Sequence, residues 1–337
     1  MSSNEYKILV VGAGSIGMRH LKNLQALGVK QFGIVDPKYR GRTPVKLAGD
    51  GPLLVFSDLK EALKQKWDAV FICTPSSTHI GIALRVARQG IPMFIEKPVS
   101  HTLTGLSQLQ KLAQNIKPVM VGYNIDFHPQ FQKIKEILAK KTLGKIWGVR
   151  AEFGYYLQDW RAGQDYTKTY SAQKKLGGGI VLDDIHEINL LYHLFGPVKK
   201  AFGLTSKQSN LKIDVEDYAE IILQFQNGII GQIHMDYLQR DYSRHLKIIG
   251  EKGTLIWYLK KAQIDLYSSE AKKWKTINKI TRFDWNETYL QETKEFLRCL
   301  AKKQNPASDL WRGIKTLRIA SVIKQSSLIG KCLKIKK

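Results

Sequence analysis

The sequence predicts an α/β protein in which a doubly wound parallel sheet is followed by an α+β domain with a large, open, mainly antiparallel sheet. Over the first 123 residues, short apolar strands alternate with helical segments, which is typical of a parallel sheet covered on both faces. A glycine-rich turn follows the first strand. From Ile146 onward the strands are longer, and Asn227-Gly228 is a hairpin signal. We therefore predict two domains, residues 1–123 and residues 124–337.

The elements of the first domain follow one another as strand and helix. Each predicted strand is a run of four or five mostly apolar residues that ends in a turn or a helical segment. The strands are predicted at 7–11, 32–36, 69–73, 92–95 and 118–121, and the helices at 15–27 and from Pro75 as far as Arg88.

The second domain begins with a helix that starts at His128-Pro129 and runs to about Lys140. A hairpin with strands at 219–225 and 229–237 follows, because Asn-Gly favours a type I′ turn. Further strands are predicted at 245–250, 254–259 and 264–267, and helices at 287–303 and 310–328. We expect the last helix to pack back towards the first domain.

Length and composition are those of an ordinary globular protein. With 337 residues, of which 43% are hydrophobic, the chain can bury a full core without disulfides or metals. The three cysteines, Cys73, Cys299 and Cys332, lie far apart and form no C-x-x-C pair. That spacing favours a reducing, cytoplasmic location and argues against a cysteine-based metal site. The sequence has no signal-peptide pattern and no apolar run long enough to span a membrane.

The charge balance is strongly basic. Lys and Arg number 53 against 29 Asp and Glu, a formal net charge of +24, which is compatible with nucleic acid, anionic lipid or an acidic substrate as a partner. The basic residues are scattered, however, and no zinc-finger, basic-zipper or RNP signature accompanies them. We therefore favour a solvated lysine-rich surface over a nucleic-acid site, and an anionic substrate stays open.

The turn after the first strand has the sequence Gly12-Ala13-Gly14-Ser15-Ile16-Gly17, a G-x-G-x-x-G pattern that opens a helix. Gly12 permits the tight turn, Gly14 lets the backbone approach a pyrophosphate, and Gly17 allows close helix–strand packing. The helix N-terminus attracts phosphate. Asp36, 19 residues beyond Gly17, is placed to accept hydrogen bonds from ribose hydroxyls. The pattern predicts a dinucleotide site of the Rossmann type.

Asp36 also bears on the choice of cofactor. Its carboxylate would repel a 2′-phosphate, which favours NAD. Lys38 and Arg40 follow closely and could neutralise such a phosphate, so NADP stays open as the alternative.

Glu96-Lys97-Pro98 closes the strand that starts near Pro92. Because ligands of doubly wound sheets bind at the carboxyl ends of the strands, Lys97 would point at a nicotinamide and its substrate. A surface lysine beside a turn is the alternative, and the spacing alone does not decide between them.

Four motifs together resemble the Gfo/Idh/MocA family, the relatives of glucose–fructose oxidoreductase and inositol dehydrogenase. They are the glycine turn, Thr74-Pro75-x-x-x-His79, Glu96-Lys97-Pro98, and Gly122-Tyr123-Asn124 with Phe127-His128-Pro129. The resemblance covers the whole chain. It implies that Lys97 contacts the reacting hydroxyl and assists proton transfer, and that Glu96 approaches the nicotinamide ribose. The other cofactor-binding positions it implies are Thr74, Pro75, His79 and Asn124.

A second signature, Gly177-Gly178-Gly179 followed by a helix with Asp183 and His186, resembles the catalytic helix of the family. Residues three apart share a helix face, and the unperturbed pKa of histidine, near 6.5, suits proton transfer. The resemblance implies that His186 is the general acid/base and Asp183 its neighbour. From the residues alone, a capping or core histidine is the alternative. The spacing to the next histidine, His193, does not fit a zincin, and no metal is expected.

Two positions depart from the family pattern. Asp126 stands where an arginine is common before Phe-His-Pro, and Asn189 stands where an aspartate is common after the catalytic histidine. Both departures bear on substrate or cofactor contacts, and neither removes the residues assigned to catalysis.

The segment before the glycines is rich in aromatic residues and carries charge. Trp160, Arg161 and Tyr170 are candidate substrate residues, because aromatic faces stack on sugar rings and arginine binds carboxylate or phosphate bidentately. The segment resembles a subgroup associated with surface-polysaccharide and nucleotide-sugar metabolism. A structural loop packed on the sheet is the alternative.

The resemblance implies an NAD(P)-dependent oxidoreductase that acts on a secondary alcohol or ketone of a sugar, and we expect that sugar to be nucleotide-activated or acidic. A cyclitol or free sugar is the first alternative, and a non-catalytic cofactor-bound sensor on the same fold is the second. The second domain would bind substrate and mediate assembly into a homodimer or homotetramer.

Overall fold

The computed structural model describes residues 5–39, 53–161 and 163–335 of the chain. The chain divides into two compact units. Unit 1 comprises Met1–Asn124 and Trp285–Lys315, and unit 2 comprises Ile125–Asp284 and Thr316–Lys337. Arg40, a candidate partner for a 2′-phosphate, lies outside the described residues.

Strands and helices are numbered in chain order over the described residues. The strands are β1 Lys7–Val11, β2 Gln31–Val35, β3 Leu53–Phe56, β4 Ala69–Ile72, β5 Met93–Glu96, β6 Val119–Gly122, β7 Ile146–Gly154, β8 Val198–Ser206, β9 Tyr218–Phe225, β10 Ile230–Asp236, β11 Ser243–Gly250, β12 Gly253–Tyr258, β13 Gln263–Ser268, β14 Lys273–Lys279 and β15 Leu333–Lys334. The helices are α1 Ser15–Ala26, α2 Leu59–Ala62, α3 Ser76–Arg88, α4 Leu106–Leu112, α5 Pro129–Ala139, α6 Ile180–Asp183, α7 His186–Phe195, α8 Asn286–Lys302 and α9 Leu310–Ile329. None of these helices has the length and apolarity that crossing a membrane requires.

Unit 1 contains a parallel sheet in the order β3-β2-β1-β4-β5-β6. The chain starts at β1 in the middle and winds outward in both directions, so the carboxyl ends of β1, β4 and β5 lie at one edge. This confirms the predicted doubly wound parallel sheet. The edge strand β3 was not predicted, because its four half-buried residues give no clear periodic signal.

Aromatic rings hold the helices of unit 1 against its sheet. Phe71 on β4 and Phe94 on β5 stack with centroids 4.8 Å apart. Phe296 on α8 meets Phe71 edge-on at 4.9 Å, and the ring of His20 on α1 lies 4.8 Å from that of Phe94. Helices α1 and α8 therefore cover the same aromatic part of the sheet, above the strand that ends in Glu96.

Unit 2 contains a second sheet in the order β14-β13-β12-β11-β7-β10-β9-β8-β15. Neighbouring strands are antiparallel except β7 and β10, which are parallel, so the sheet is mainly antiparallel as predicted. Side chains alternate between a buried face and an open face. On β7, for example, Val149 and Ala151 are buried, whereas Arg150 is exposed.

The helix predicted to carry both Asp183 and His186 is interrupted, which corrects the prediction that they share one helix face. Helix α6 ends at Asp183 and α7 begins at His186. Between them, Asp184 leaves the helical region with φ −104° and ψ 49°. A spacing of three residues in the sequence therefore does not by itself bring these two side chains together.

Candidate active site

The glycine turn lies between β1 and α1. Gly12 has φ +92°, and a Cβ on Gly17 would lie 1.9 Å from the carbonyl oxygen of Gly12, so neither position tolerates a side chain. Gly14 differs, because its φ of −70° suits any residue and no described atom beyond its neighbours lies within 4 Å of its Cβ position. Ser15 and Ile16 begin α1. The turn thus leaves open space beside the helix N-terminus, which fits a pyrophosphate.

Asp36 follows β2 and faces the glycine turn. Its Oδ2 accepts a hydrogen bond from the backbone N–H of Ala13 at 2.9 Å, and its Oδ1 accepts one from the N–H of Lys38 at 2.9 Å. Each carboxylate oxygen has a further lone pair that can accept from a ribose hydroxyl. Together with the open space at Gly14, this donor and acceptor set fits NAD.

Thr74 and Pro75 form the turn between β4 and α3. The His79 ring on α3 is buried, with Nε2 2.7 Å from the carbonyl oxygen of Thr74 and Nδ1 2.8 Å from that of Pro98. Burial lowers the pKa of His79, although both carbonyls oppose this. His79 therefore joins this turn to the one that contains Lys97, and its predicted place along the cofactor stays a prediction.

Glu96 is the last residue of β5, and the half-buried Lys97 follows it. Oε1 of Glu96 lies 2.6 Å from Nε2 of His20, and Oε2 accepts from the backbone N–H of Lys97 at 3.2 Å. Burial raises the pKa of Glu96, but the hydrogen bond and charge of His20 and the charge of Lys97 outweigh it and lower that pKa. An anion is therefore fixed immediately beside Lys97.

A second buried carboxyl group lies near Glu96. Burial and the charge of Glu96 raise the pKa of Glu292 well above its usual range. The same two causes, burial and then the charge of Glu96, raise the pKa of Tyr289 to about 12. Of the two acids, Glu96 is thus the one that carries the charge.

Asn124 begins the turn after β6 and is 8% exposed. Its Nδ2 donates to Oγ1 of Thr288 on α8 at 2.9 Å. The amide is therefore held in one orientation, at the same edge of the sheet as Glu96 and Lys97, where a nicotinamide ring is expected.

In unit 2, both oxygens of the Asp183 carboxylate accept hydrogen bonds from tyrosines. The Tyr237 hydroxyl donates to Oδ2 at 3.0 Å, and the Tyr170 hydroxyl donates to Oδ1. Burial and the charge of Asp183 raise the pKa of Tyr237 well above its usual range, so that phenol keeps its proton and remains a donor. Tyr170, which is predicted to contact substrate, thus contacts Asp183, the predicted neighbour of the general acid/base.

His186 is 7% exposed, and the carboxylates on either side of it in the sequence are buried. Arg244 on β11 contacts both of them, with Nε 2.8 Å from Oε1 of Glu187 and Nη2 in contact with Oδ1 of Asp184. Burial raises the pKa of Glu187 well above its usual range, although the charge of Arg244 opposes this.

Trp160 and Arg161 lie at the end of a short 3₁₀ turn. The Trp160 ring meets that of Tyr237 edge-on at 5.2 Å, and its Nε1 donates to the carbonyl oxygen of Tyr155 at 2.9 Å. Trp160 and Arg161 also line a shallow surface depression, with Tyr166. Trp160 therefore lies between Tyr237 and a depression with aromatic and basic walls.

The two departures from the family pattern contact each other. Nδ2 of Asn189 on α7 donates to Oδ1 of Asp126 at 2.9 Å, and both side chains are buried. The nearby Nδ1 of His193 lies 3.2 Å from Oδ2 of Asp126. Burial lowers the pKa of His193 to about 4, so His193 is neutral near pH 7. The unusual residues at these positions therefore form one local arrangement.

Sequence reasoning missed His20, Tyr237 and Arg244. Arg244 had a signal, because it alternates with Leu246 and Ile248 on the buried face of β11, where a charged side chain requires a counter-charge. Tyr237 and His20 had none, since their partners are distant in sequence. Within the described ranges, no three His, Cys, Asp or Glu side chains gather in a group that could hold a metal ion.

Two models of protein families match the chain. Residues 6–123 match the oxidoreductase family with an NAD-binding Rossmann fold, and residues 131–256 match the GFO/IDH/MocA C-terminal domain.

Individual proteins agree with these matches. Myo-inositol 2-dehydrogenase of Thermotoga maritima is 23% identical over 332 residues, which cover 95% of this chain and 96% of that protein. The structure of levoglucosan dehydrogenase in complex with NADH has a TM-score of 0.86 at 17% identity and covers 98% of this chain and 99% of its own. The structure of the WlbA dehydrogenase from Bordetella pertussis, in complex with NADH and UDP-GlcNAcA, has a TM-score of 0.80 at 20% identity, with coverage of 98% and 99%. At these identities the two structures establish the fold alone.

Proposed function

The chain belongs to the Gfo/Idh/MocA family of NAD-dependent oxidoreductases that act on sugars and polyols, and on that premise we propose that its substrate is a sugar that is nucleotide-activated or acidic. A hydride passes between the nicotinamide and a carbon that bears a secondary hydroxyl or a keto group. The formal charge of +24 favours an anionic substrate.

The cofactor is held by the glycine turn and Asp36. The N–H groups at the start of α1, with Gly14 leaving space, receive the pyrophosphate, and Asp36 accepts from the ribose hydroxyls. Thr74, Pro75, His79, Glu96 and Asn124 are the further proposed cofactor residues. Bound NAD supplies the hydride acceptor or donor.

Lys97 and His186 manage the hydroxyl proton. In the oxidative direction, the Lys97 ammonium donates a hydrogen bond to the substrate oxygen and stabilises the negative charge that develops there. The His186 imidazole takes the proton as the hydride leaves the same carbon. Asp183, held by two tyrosines, is the residue that we propose orients the imidazole. In the reductive direction His186 returns the proton.

The observation that carries the sugar proposal is the cluster around Asp183. Trp160 packs on Tyr237, Tyr237 and Tyr170 hold Asp183, and Arg161 lines the adjacent surface depression. Aromatic faces and a carboxylate suit a polyhydroxylated ring, and a guanidinium suits a carboxylate or phosphate attached to it.

The test is NAD reduction by a panel of nucleotide sugars, sugar acids, free sugars and cyclitols. We expect an anionic sugar to give the highest kcat/KM, and Lys97→Met and His186→Gln each to lower it about 10²- to 10⁴-fold. Lys111→Met, at an exposed position on α4, is the control and should leave it unchanged. Gly14→Arg should fold and fail to bind NADH. If every active compound is neutral, the anionic substrate class is wrong.

A free cyclitol is the second candidate, because the match to myo-inositol 2-dehydrogenase spans 95% of the chain. Preferential oxidation of an inositol over every nucleotide sugar in the panel would establish it.

We also propose that the enzyme is a cytoplasmic homodimer or homotetramer. All three cysteines are free thiols, which suits a reducing compartment. The open face of the nine-stranded sheet exposes Leu204, Ile222 and Ile230, which suits an interface. Light scattering coupled to gel filtration measures the mass, and a monomer at micromolar concentration would contradict the assembly.

A further inference from the structure

A buried arginine lies against the segment that carries His186. Arg244 is the second residue of β11, and its side chain is 11% exposed. Its guanidinium lies 4.3 Å from the ring centroid of Phe153. Burial lowers the pKa of Arg244, but the charges of Asp184 and Glu187 more than compensate and raise it, so the side chain stays a cation.

The guanidinium contacts two carboxyl groups at once. Nε lies 2.8 Å from Oε1 of Glu187, Nη2 donates to Oε2 of Glu187 at 3.3 Å, and the same Nη2 donates to Oδ1 of Asp184. The side chains of Asp184 and Glu187 are 7% and 2% exposed. A planar fork can span two acceptors in this way, whereas an ammonium is a single point charge.

These two carboxyl groups stand on either side of His186 in the sequence. Asp184 lies in the break between α6 and α7, and Glu187 is the second residue of α7. Ile185, which precedes α7, makes no capping hydrogen bond with its side chain. His186 is the first residue of α7, so the geometry of the break sets where its side chain leaves the backbone.

We propose that Arg244 is a positioning residue for His186. By binding Asp184 and Glu187 together, it fixes the break between α6 and α7 and hence the direction of the His186 imidazole. This inference rests on the proposed function, because it takes His186 as the acid–base group, but the three-residue arrangement can be tested without turnover.

The two contacts can be removed separately. Asp184 and Glu187 both lie within ion-pair distance of the Arg244 guanidinium. Asp184→Asn and Glu187→Gln each remove one charge opposite the buried cation and keep a side chain of the same shape, so each should disturb the position of His186.

The experiment compares Arg244→Lys with Arg150→Lys, which conserves charge at an exposed position on the neighbouring strand β7. Each variant is assayed for kcat and KM with the compound of the substrate panel that gives the wild type its highest kcat/KM, and for the NADH dissociation constant. The His186 side chain is followed by ¹⁵N NMR during a pH titration without substrate, with His186→Gln assigning its signal. We expect Arg244→Lys to lower kcat about 10- to 100-fold, as a misplaced catalytic group does. NADH affinity should stay unchanged while the His186 titration shifts, and Arg150→Lys should match the wild type in every readout.

An unchanged kcat and an unchanged His186 titration in Arg244→Lys would overturn the proposal. If Arg244→Lys does not fold, Glu187→Gln and Asp184→Asn decide: a shifted His186 titration in these variants supports the arrangement, and an unchanged His186 titration in both refutes it. Failure of the proposed function has a different signature, since His186→Gln would then retain wild-type turnover. The NMR titration tests Arg244 in either case.

Discussion

The buried hydroxyl of Tyr237 donates a hydrogen bond to Oδ2 of Asp183 across 3.0 Å. The two residues lie on different elements, β10 ending just before Tyr237 and α6 ending at Asp183. With Tyr170 on the other oxygen, the carboxylate has little freedom to rotate. The two tyrosines thereby fix the orientation of the carboxyl group that we propose to orient His186.

Tyr237→Phe removes this hydrogen bond and keeps the ring that packs on Trp160. We expect kcat to fall about 10-fold, because a hydrogen bond to a charged group contributes about 1.5–3 kcal/mol, while the NADH dissociation constant is unchanged. Steady-state kinetics and fluorescence titration measure the two quantities. Tyr218→Phe is the matched control, since Tyr218 also donates to a carboxylate, Glu220 at 2.9 Å, but on the open face of the sheet. Equal kinetic effects of the two variants would remove the role given to Tyr237.

Asp36 should set the preference for NADH over NADPH. Its carboxylate lies beside the glycine turn, where it repels a 2′-phosphate and binds the hydroxyl. In Asp36→Ala we expect NADH affinity to fall about 10-fold and NADPH affinity to rise, because Lys38 is then the nearest charged neighbour in the sequence. Titration of cofactor fluorescence measures both affinities. Asp58→Ala is the control, as Asp58 also caps a turn by accepting from a backbone N–H, that of Lys60. A wild type that prefers NADPH would show that Asp36 does not select the cofactor.

The arrangement of the glycine turn and Asp36 could be predicted because its parts are local. The glycine turn and Asp36 lie within about 25 residues of each other, in a strand–turn–helix–strand unit whose geometry is narrowly determined. Lys97 could be placed for a similar reason, since the carboxyl ends of parallel strands share an edge. The contacts of His20 with Glu96 could not, because they require knowing which helix covers β5.

The site in unit 2 was harder to predict because its contacts join distant segments. Asp183 and Tyr237 are 54 residues apart in sequence, and Arg244 is 57 residues from Glu187. The break between α6 and α7 also has no local signal, since the sequence from Ile180 to Phe195 contains neither glycine nor proline. Only the charged residue on the buried face of β11 indicated that carboxylates would lie opposite it.

His234 should make stability depend on pH in the alkaline range. Its Nδ1 lies 2.7 Å from Oε1 of Glu220, and its Nε2 lies 2.7 Å from Oδ2 of Asp236. The hydrogen bond with Asp236 raises the pKa of His234 from 6.5 to about 9. Burial opposes this rise, and Glu220 adds to it. A histidine whose pKa is raised in the folded state stabilises it fully below the unfolded pKa and loses this effect as the pH rises through the folded value. As the pH rises from the unfolded-state pKa to the folded-state pKa, the free energy of unfolding of the wild type should therefore fall by about 1–2 kcal/mol relative to that of His234→Gln. Urea unfolding measures this difference. Gln224→Ala, on the same open face, should differ from wild type by an amount that does not vary with pH. A constant difference for His234→Gln as well would exclude the raised pKa.

Exchange of the amide and carboxylate between positions 126 and 189 provides a direct test of that contact. Asn189→Asp alone places a second carboxylate 2.9 Å from that of Asp126, and we expect it to lower the free energy of unfolding by about 1–3 kcal/mol, because two buried carboxylates at this distance cannot both ionise. Adding Asp126→Asn restores one amide and one carboxylate in contact and should recover most of the loss. The coupling energy from a double-mutant cycle, measured by urea unfolding, should reach about 0.5–3 kcal/mol. Additive effects would mean that the two residues act independently. The double exchange conserves the net charge of the pair but moves the carboxylate from position 126 to position 189. The kcat/KM of the doubly exchanged variant for neutral and for anionic sugars then shows whether the position of this charge determines which substrates are accepted.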